Sequence, residues 1–138
     1  MTETRILVAD DEESIRFVLS RALQADGHRV AEFAGGQAAL AALATESFDL
    51  AIVDIRMPDL SGLDLLTRTR ESHPDLPIVI VTAESTMANA IEAMKRGAFD
   101  YVVKPFDLEE VRVVVGRALE IRRLTRMVEN LKDEVRPK

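Results

Sequence analysis

The chain has no cysteine, no tryptophan and a single tyrosine among its 138 residues. Without thiols there can be no disulfide framework, thiolate metal site or cysteine nucleophile, and nothing points to an oxidising compartment. Also missing is any apolar run near the ~20 residues of a membrane span. Met1-Thr2-Glu3-Thr4 lacks the basic start and apolar core of a signal peptide, so a cytoplasmic protein with no membrane partner is expected. Basic excess is absent as well. Net charge is −6, with 11 basic and 20 acidic side chains in residues 1–116 and 7 and 4 in residues 117–138. An acidic body argues against direct nucleic-acid binding, which depends on Lys and Arg neutralising phosphates.

What remains is a chain of 47% hydrophobic content, enough for one domain with a sizeable core and hardly for two. Strand and helix patterns alternate throughout, which predicts an α/β fold with a parallel sheet covered by helices on both faces. Strands are expected at Arg5–Ala9, His28–Phe33, Phe48–Val53, Ile78–Val81 and Asp100–Val103. Ser14–Ala25 reads as an amphipathic helix with Ile15, Val18, Leu19, Ala22 and Leu23 inward, stopped at Asp26-Gly27. Ala38–Ala44 follows the Gly35-Gly36 break, with Leu40 and Leu43 buried, and a third helix runs from Leu63 to about Ser72. The fourth is expected over 85–96, capped by Ser85, with Ala88, Ile91, Ala93 and Met94 inward and Gly97 as its stop.

The last helix starts at Asp107, with Glu110 three residues on, and meets no breaker before Pro137. Val111, Val114, Val115, Ala118 and Leu119 suit packing on a sheet. Beyond them Ile121, Leu124, Val128, Leu131 and Val135 step 3, 4, 3, 4, the a and d positions of a two-heptad coiled coil and the expected seam of a homodimer. The division read from this is a domain over 1–120 and a helical linker over 121–138.

Four strands end in groups that packing does not require. Ile6–Ala9 runs into Asp10-Asp11-Glu12-Glu13, the run Leu50–Val53 into Asp54, Ile78–Val81 into Thr82, and Tyr101–Val103 into Lys104-Pro105. In an open α/β sheet the carboxyl edge is where ligands bind. Clustered carboxylates repel one another unless a cation joins them, and a hard, oxygen-seeking ion suits such a set. Mg²⁺ fits, since it takes one or two carboxylates and leaves room for phosphate oxygens. With Asp11 and Asp54 on the metal, the free oxygen of Asp54 could attack phosphorus, while Lys104 and the Thr82 hydroxyl meet the phosphoryl oxygens. Glu12 and Glu13 read as first-turn acids that favour the helix dipole, without chemistry of their own.

The motifs Asp10-Asp11, Asp54 with Met57-Pro58 and Gly62, Thr82-Ala83, Gly97-Ala98, and Tyr101 before Lys104-Pro105-Phe106 resemble the receiver domain of bacterial two-component response regulators over residues 4–120. The resemblance implies a flavodoxin-like (βα)5 sandwich of strand order 2-1-3-4-5. It implies that a histidine kinase phosphorylates Asp54 with Mg²⁺ held by Asp11, Asp54, the Arg56 carbonyl and, through water, Asp10. By the same resemblance Thr82 and Tyr101 form the conformational switch, Lys104 binds phosphate, Lys104–Pro105 is a cis peptide and small Ala83 leaves access to Asp54. Arg56 and Glu84 are expected to flank the mouth and slow hydrolysis.

The extended last helix is similar to receivers of nitrogen-regulator-type activators, whose next domains are an AAA+ ATPase and a DNA-binding module. The chain is thus expected to be the regulatory module of a transcription factor, a signalling domain rather than an enzyme. Phosphorylation would shift helix 85–96, the next strand and the last helix between two packings. Rival readings fare worse. A haloacid-dehalogenase-type phosphatase needs its second acid two residues after the first, where this chain has Glu12. A flavin module wants a hydroxyl- and glycine-rich loop where Asp10–Glu13 would repel phosphate. A receiver-like binding module that is never phosphorylated leaves the full Asp11, Asp54, Thr82, Lys104 set unexplained.

Overall fold

A computed structural model describes residues 3–83 and 86–135, without the side chains of 132–135. Ten elements alternate: β1 (Arg5–Ala9), α1 (Glu13–Ala25), β2 (Arg29–Phe33), α2 (Gly36–Thr45), β3 (Leu50–Val53), α3 (Gly62–Ser72), β4 (Ile78–Thr82), α4 (Met87–Lys95), β5 (Asp100–Val103) and α5 (Leu108–Val135). The strands form one parallel sheet of order β2-β1-β3-β4-β5. The expected α/β fold and strand order are those observed.

Two-residue periodicity sorts each strand between two cores. Leu7, Ala9, Ala51, Val53, Ile78 and Ile80 point to the side of Ala39 and Leu43 of α2, Leu65 and Leu66 of α3, and Ala93 of α4. Ile6, Val8, Leu50, Ile52, Val79, Val81 and Val102 point the other way, onto Leu19 and Leu23 of α1 and Val111, Val114, Val115 and Ala118 of α5. Burial on both faces explains the unbroken apolar runs of β1, β3 and β4. Among the described residues no helix is long and apolar enough to cross a membrane.

Several local expectations need correction. In α4 only Ala93 is buried; Ala88 is exposed and Ile91 and Met94 are about half exposed, at 48% and 49%. With six apolar residues among nine, that helix offers periodicity more than one possible face. Its cap is Thr86, whose hydroxyl accepts from the Asn89 N–H at 3.2 Å; Ser85, the expected cap, lies outside the described residues. On α1 Val18 is exposed whereas Ser20 is buried. α2 begins two residues earlier than expected, at Gly36, where a Cβ would strike Leu60 at both carbonyl and side chain.

α5 runs 28 residues as one helix. Asp107 starts it, its carboxylate accepting from the Glu109 N–H at 2.9 Å. Past Leu119 the helix crosses the amino edge of the sheet. There Arg122 donates to the carbonyls of Asp75 (3.0 Å) and Phe48 (3.3 Å), and Arg126 reaches Asp49 at 3.2 Å. Ile121, Leu124, Val128 and Leu131 are exposed; the side chain of Val135, the last expected seam position, lies outside the described residues.

Candidate functional site

The sheet order puts β1 and β3 side by side, and β1 is flanked by β2 and β3, so the chain changes direction beside it. In open α/β sheets ligands bind at the carboxyl ends beside such a reversal. The register Ala9↔Val53 makes Asp10 and Asp54 the next residue on adjacent strands, and the Asp54 N–H donates to the Ala9 carbonyl at 2.9 Å. Both carboxylates are buried, at 2% and 4% exposure. The pairing Thr82↔Val103 then places Lys104 just beyond β5, where its N–H donates to the Thr82 carbonyl at 2.8 Å.

From that position the Lys104 ammonium lies 2.8 Å from Asp10 Oδ2, 3.0 Å from Asp54 Oδ2 and 3.2 Å from Glu12 Oε1. Its three protons meet three carboxylates. Burial alone would lower the Lys104 pKa, but the hydrogen bonds to Asp10 and Asp54 and their charges prevail, and it is held well above the ordinary lysine value. Burial pushes the Asp10 carboxyl above the usual aspartate range, against the lowering contributed by Lys104 and by the Glu12 N–H on Oδ1 at 2.9 Å. The second Asp54 oxygen accepts from the Arg56 N–H at 3.2 Å.

One ligand atom each from Asp10, Asp11, Glu12 and Asp54 falls within a mutual 4.8 Å. Three of these carboxylates share one ammonium, all donors are hard oxygens, and Asp11 and Glu12 open to solvent, so the set fits Mg²⁺. Glu12 is the residue that sequence reasoning passed over. It precedes the first turn of α1 and caps no N–H with its side chain; it turns to Lys104 instead. A position two after a buried aspartate at a strand end was the available signal.

The loop beneath Asp54 is tightly held. Gly62 N–H donates to the Ile55 carbonyl at 2.8 Å, and a Cβ on Gly62 would overlap the Asp54 carbonyl oxygen. Asp59 reaches across to α2, accepting from the Gly36 and Gln37 N–H groups at 2.9 and 3.2 Å. The remaining expected site residues are arranged around this centre. Thr82 is fully buried at the end of β4, Ala83 and Arg56 are exposed, and the half-buried Tyr101 packs on the core side that holds Ile80, Ala93 and Ala98. The Lys104–Pro105 peptide is cis. Glu84 lies outside the described residues.

Comparison with known proteins agrees with this geometry. The protein-family profile described as response regulator receiver domain matches residues 6–116. The DNA-binding transcriptional regulator NtrC of Salmonella typhimurium is 46% identical over 114 residues, covering 83% of this chain and 24% of that protein. The alginate biosynthesis transcriptional regulatory protein AlgB of Pseudomonas aeruginosa is 40% identical over 132 residues, 96% of this chain and 29% of AlgB. This chain therefore spans about a quarter of the length of such curated relatives. In crystal structures, NtrX of Brucella abortus matches 94% of this chain and 30% of its own, at 35% identity and a TM-score of 0.87.

Proposed function

Because this chain belongs to the response regulator receiver domains, signalling modules rather than conventional enzymes, we propose that it accepts a phosphoryl group onto Asp54 from a sensor histidine kinase. The observation that carries the reading is the Lys104 ammonium shared by Asp10, Glu12 and Asp54 at the carboxyl edge of the sheet. An Asp54 Oδ attacks phosphorus, the new P–O bond forms as the P–N bond to the kinase histidine breaks, and the electron pair leaves with the imidazole. Lys104 then turns from the carboxylates to the phosphoryl oxygens, and the Thr82 hydroxyl donates to another. Asp10, Asp11, Asp54 and the Arg56 carbonyl would hold Mg²⁺, whose part is to neutralise the charge on the entering phosphoryl group.

Thr82 and Tyr101 form the switch in this reading. Movement there is passed to α4, β5 and α5, and so to a homodimer paired through Ile121, Leu124, Val128, Leu131 and Val135. Residues 1–120 then act as the receiver and 121–138 as the linker to an AAA+ or DNA-binding output domain in a cytoplasmic transcription regulator. The names of NtrC and AlgB support that last step. Arg56 and Glu84 stand two residues after Asp54 and Thr82 in the sequence, and Arg56→Ala or Glu84→Ala should speed loss of the phosphoryl group.

The test is intact mass after incubation with Mg²⁺ and acetyl phosphate. A gain of one phosphoryl group is expected, abolished by Asp54→Asn or by chelating Mg²⁺. A folded parent that gains nothing from either acetyl phosphate or a panel of phosphorylated histidine kinases would establish a phosphorylation-independent module instead.

A further inference from the structure

The first N–H groups of a helix have no partner within it and are best met by a side chain at the N-cap. The N-cap of α2 is Gly35, which has no side chain to offer, and Gly36 follows it. Asp59 supplies the missing cap from the β3–α3 loop, residues 54–61, accepting from the Gly36 N–H at 2.9 Å and the Gln37 N–H at 3.2 Å. Partial desolvation would raise the Asp59 pKa, but these two N–H groups, with those of Asp59 itself and Leu60, hold its carboxyl below the usual aspartate range. It therefore meets the helix N-terminus as an anion.

Both glycines make room for that loop. The three atoms nearest a Cβ on Gly35 all belong to the Asp59 carboxylate, and a Cβ on Gly36 would strike Leu60. Neither glycine has positive φ, and Gly35 at φ −140° is in extended backbone open to any residue. Their bareness serves the approach of the loop and not a turn of α2.

The same loop carries groups on which the phosphoryl chemistry rests. Its first residue is Asp54 and its third is Arg56, whose N–H donates to Asp54 Oδ1 at 3.2 Å. Met57 and Leu60 are buried in the core that holds Ala39 of α2. Apolar packing is non-directional, whereas the two hydrogen bonds to Asp59 are directional and limit how the peptide planes between Arg56 and Asp59 can turn. We infer that Asp59 is a positioning residue for Mg²⁺: by bonding to α2 it fixes the loop and so the direction of the Arg56 carbonyl. This rests on the reading above, in which that carbonyl is a metal ligand, and it names the group that aims it.

The experiment is calorimetric titration of Mg²⁺ into the full 138-residue chain, into Asp59→Ala and into the double variant Asp59→Ala/Gly35→Ser, each shown to be folded by circular dichroism, with urea denaturation alongside. Serine in the double variant returns a local cap to α2, in space the carboxylate has vacated, without restoring the tether to the loop. The Mg²⁺ dissociation constant should rise about tenfold in both variants, as when other groups that orient a metal ligand are lost. The urea midpoint should fall in Asp59→Ala and recover in the double variant. With acetyl phosphate, both variants should need about tenfold more Mg²⁺ for half-saturation yet reach the parent's rate when saturated. An affinity within about twofold of the parent in Asp59→Ala, or one regained in the double variant, would make Asp59 a helix cap alone and overturn the proposal. A parent that binds no Mg²⁺ would overturn the metal reading and the proposal with it.

Discussion

The two edges of the sheet are both bound by charge, with opposite logic. At the carboxyl edge one ammonium is shared by three carboxylates, two of them almost wholly buried, and a fourth acid stands exposed beside them. At the amino edge Arg122 and Arg126 fasten α5 to Asp49 and to the main-chain carbonyls of Phe48 and Asp75, with Arg5 against Glu46 and stacked 4.7 Å over the Phe48 ring. The first edge has more negative charge than it neutralises. The second sets three arginines against the two acids Glu46 and Asp49, and Arg122 gives its bonds to uncharged carbonyls. A negative surplus held under burial is suited to receiving a cation and, with it, a phosphoryl group, whereas arginines spread over acids and main-chain carbonyls are suited to holding a helix still.

The largest break in this contrast is expected at Lys104. Lys104→Met strands two buried carboxylates, which should lower stability by about 3–5 kcal/mol at neutral pH in magnesium-free buffer, as read by urea denaturation. The sign with pH follows from Asp10. Its folded pKa is raised, so its contribution is present below the ordinary aspartate value and is lost as pH rises through the folded value. Removing the lysine takes away one influence that lowers that pKa, so the deficit of the variant should shrink on acidification from pH 7 towards 4. A deficit that grew on acidification would contradict the assignment of surplus negative charge.

The amino edge should respond less and without this pH dependence. Arg122→Ala leaves two carbonyls without their charged donor and should lower stability by about 1.5–3 kcal/mol. Arg126→Ala removes a pair whose arginine is largely exposed, and should change stability by at most about 1 kcal/mol, less in high salt. Urea titrations at low and high salt check both. If Arg126 proved the costlier loss, the latch would be electrostatic and the contrast between the edges would fall.

The central part of the fold was legible because each of its signals was local and had one physical reading. Strands buried on both faces must be unbroken apolar runs, so β1, β3 and β4 announced themselves, and parallel register then set Asp10 beside Asp54. What escaped depended on partners that sequence does not display. Arg122 bonds to carbonyls, which every residue carries, so nothing in positions 48 or 75 foretold it. In α4 the apolar residues surround the helix, and only tertiary packing could single out Ala93. Glu12 looked like a dipole acid because its true partner lies 92 positions away.

Gly62 carries no functional group, yet its missing side chain is what leaves room for the Asp54 carbonyl. In a genetic search for alleles unable to signal, position 62 should therefore score beside 54 and 104, with alanine as damaging as any larger residue. Such alleles would map a part of the active centre that consists of vacant volume, and no scan for reactive side chains would find it.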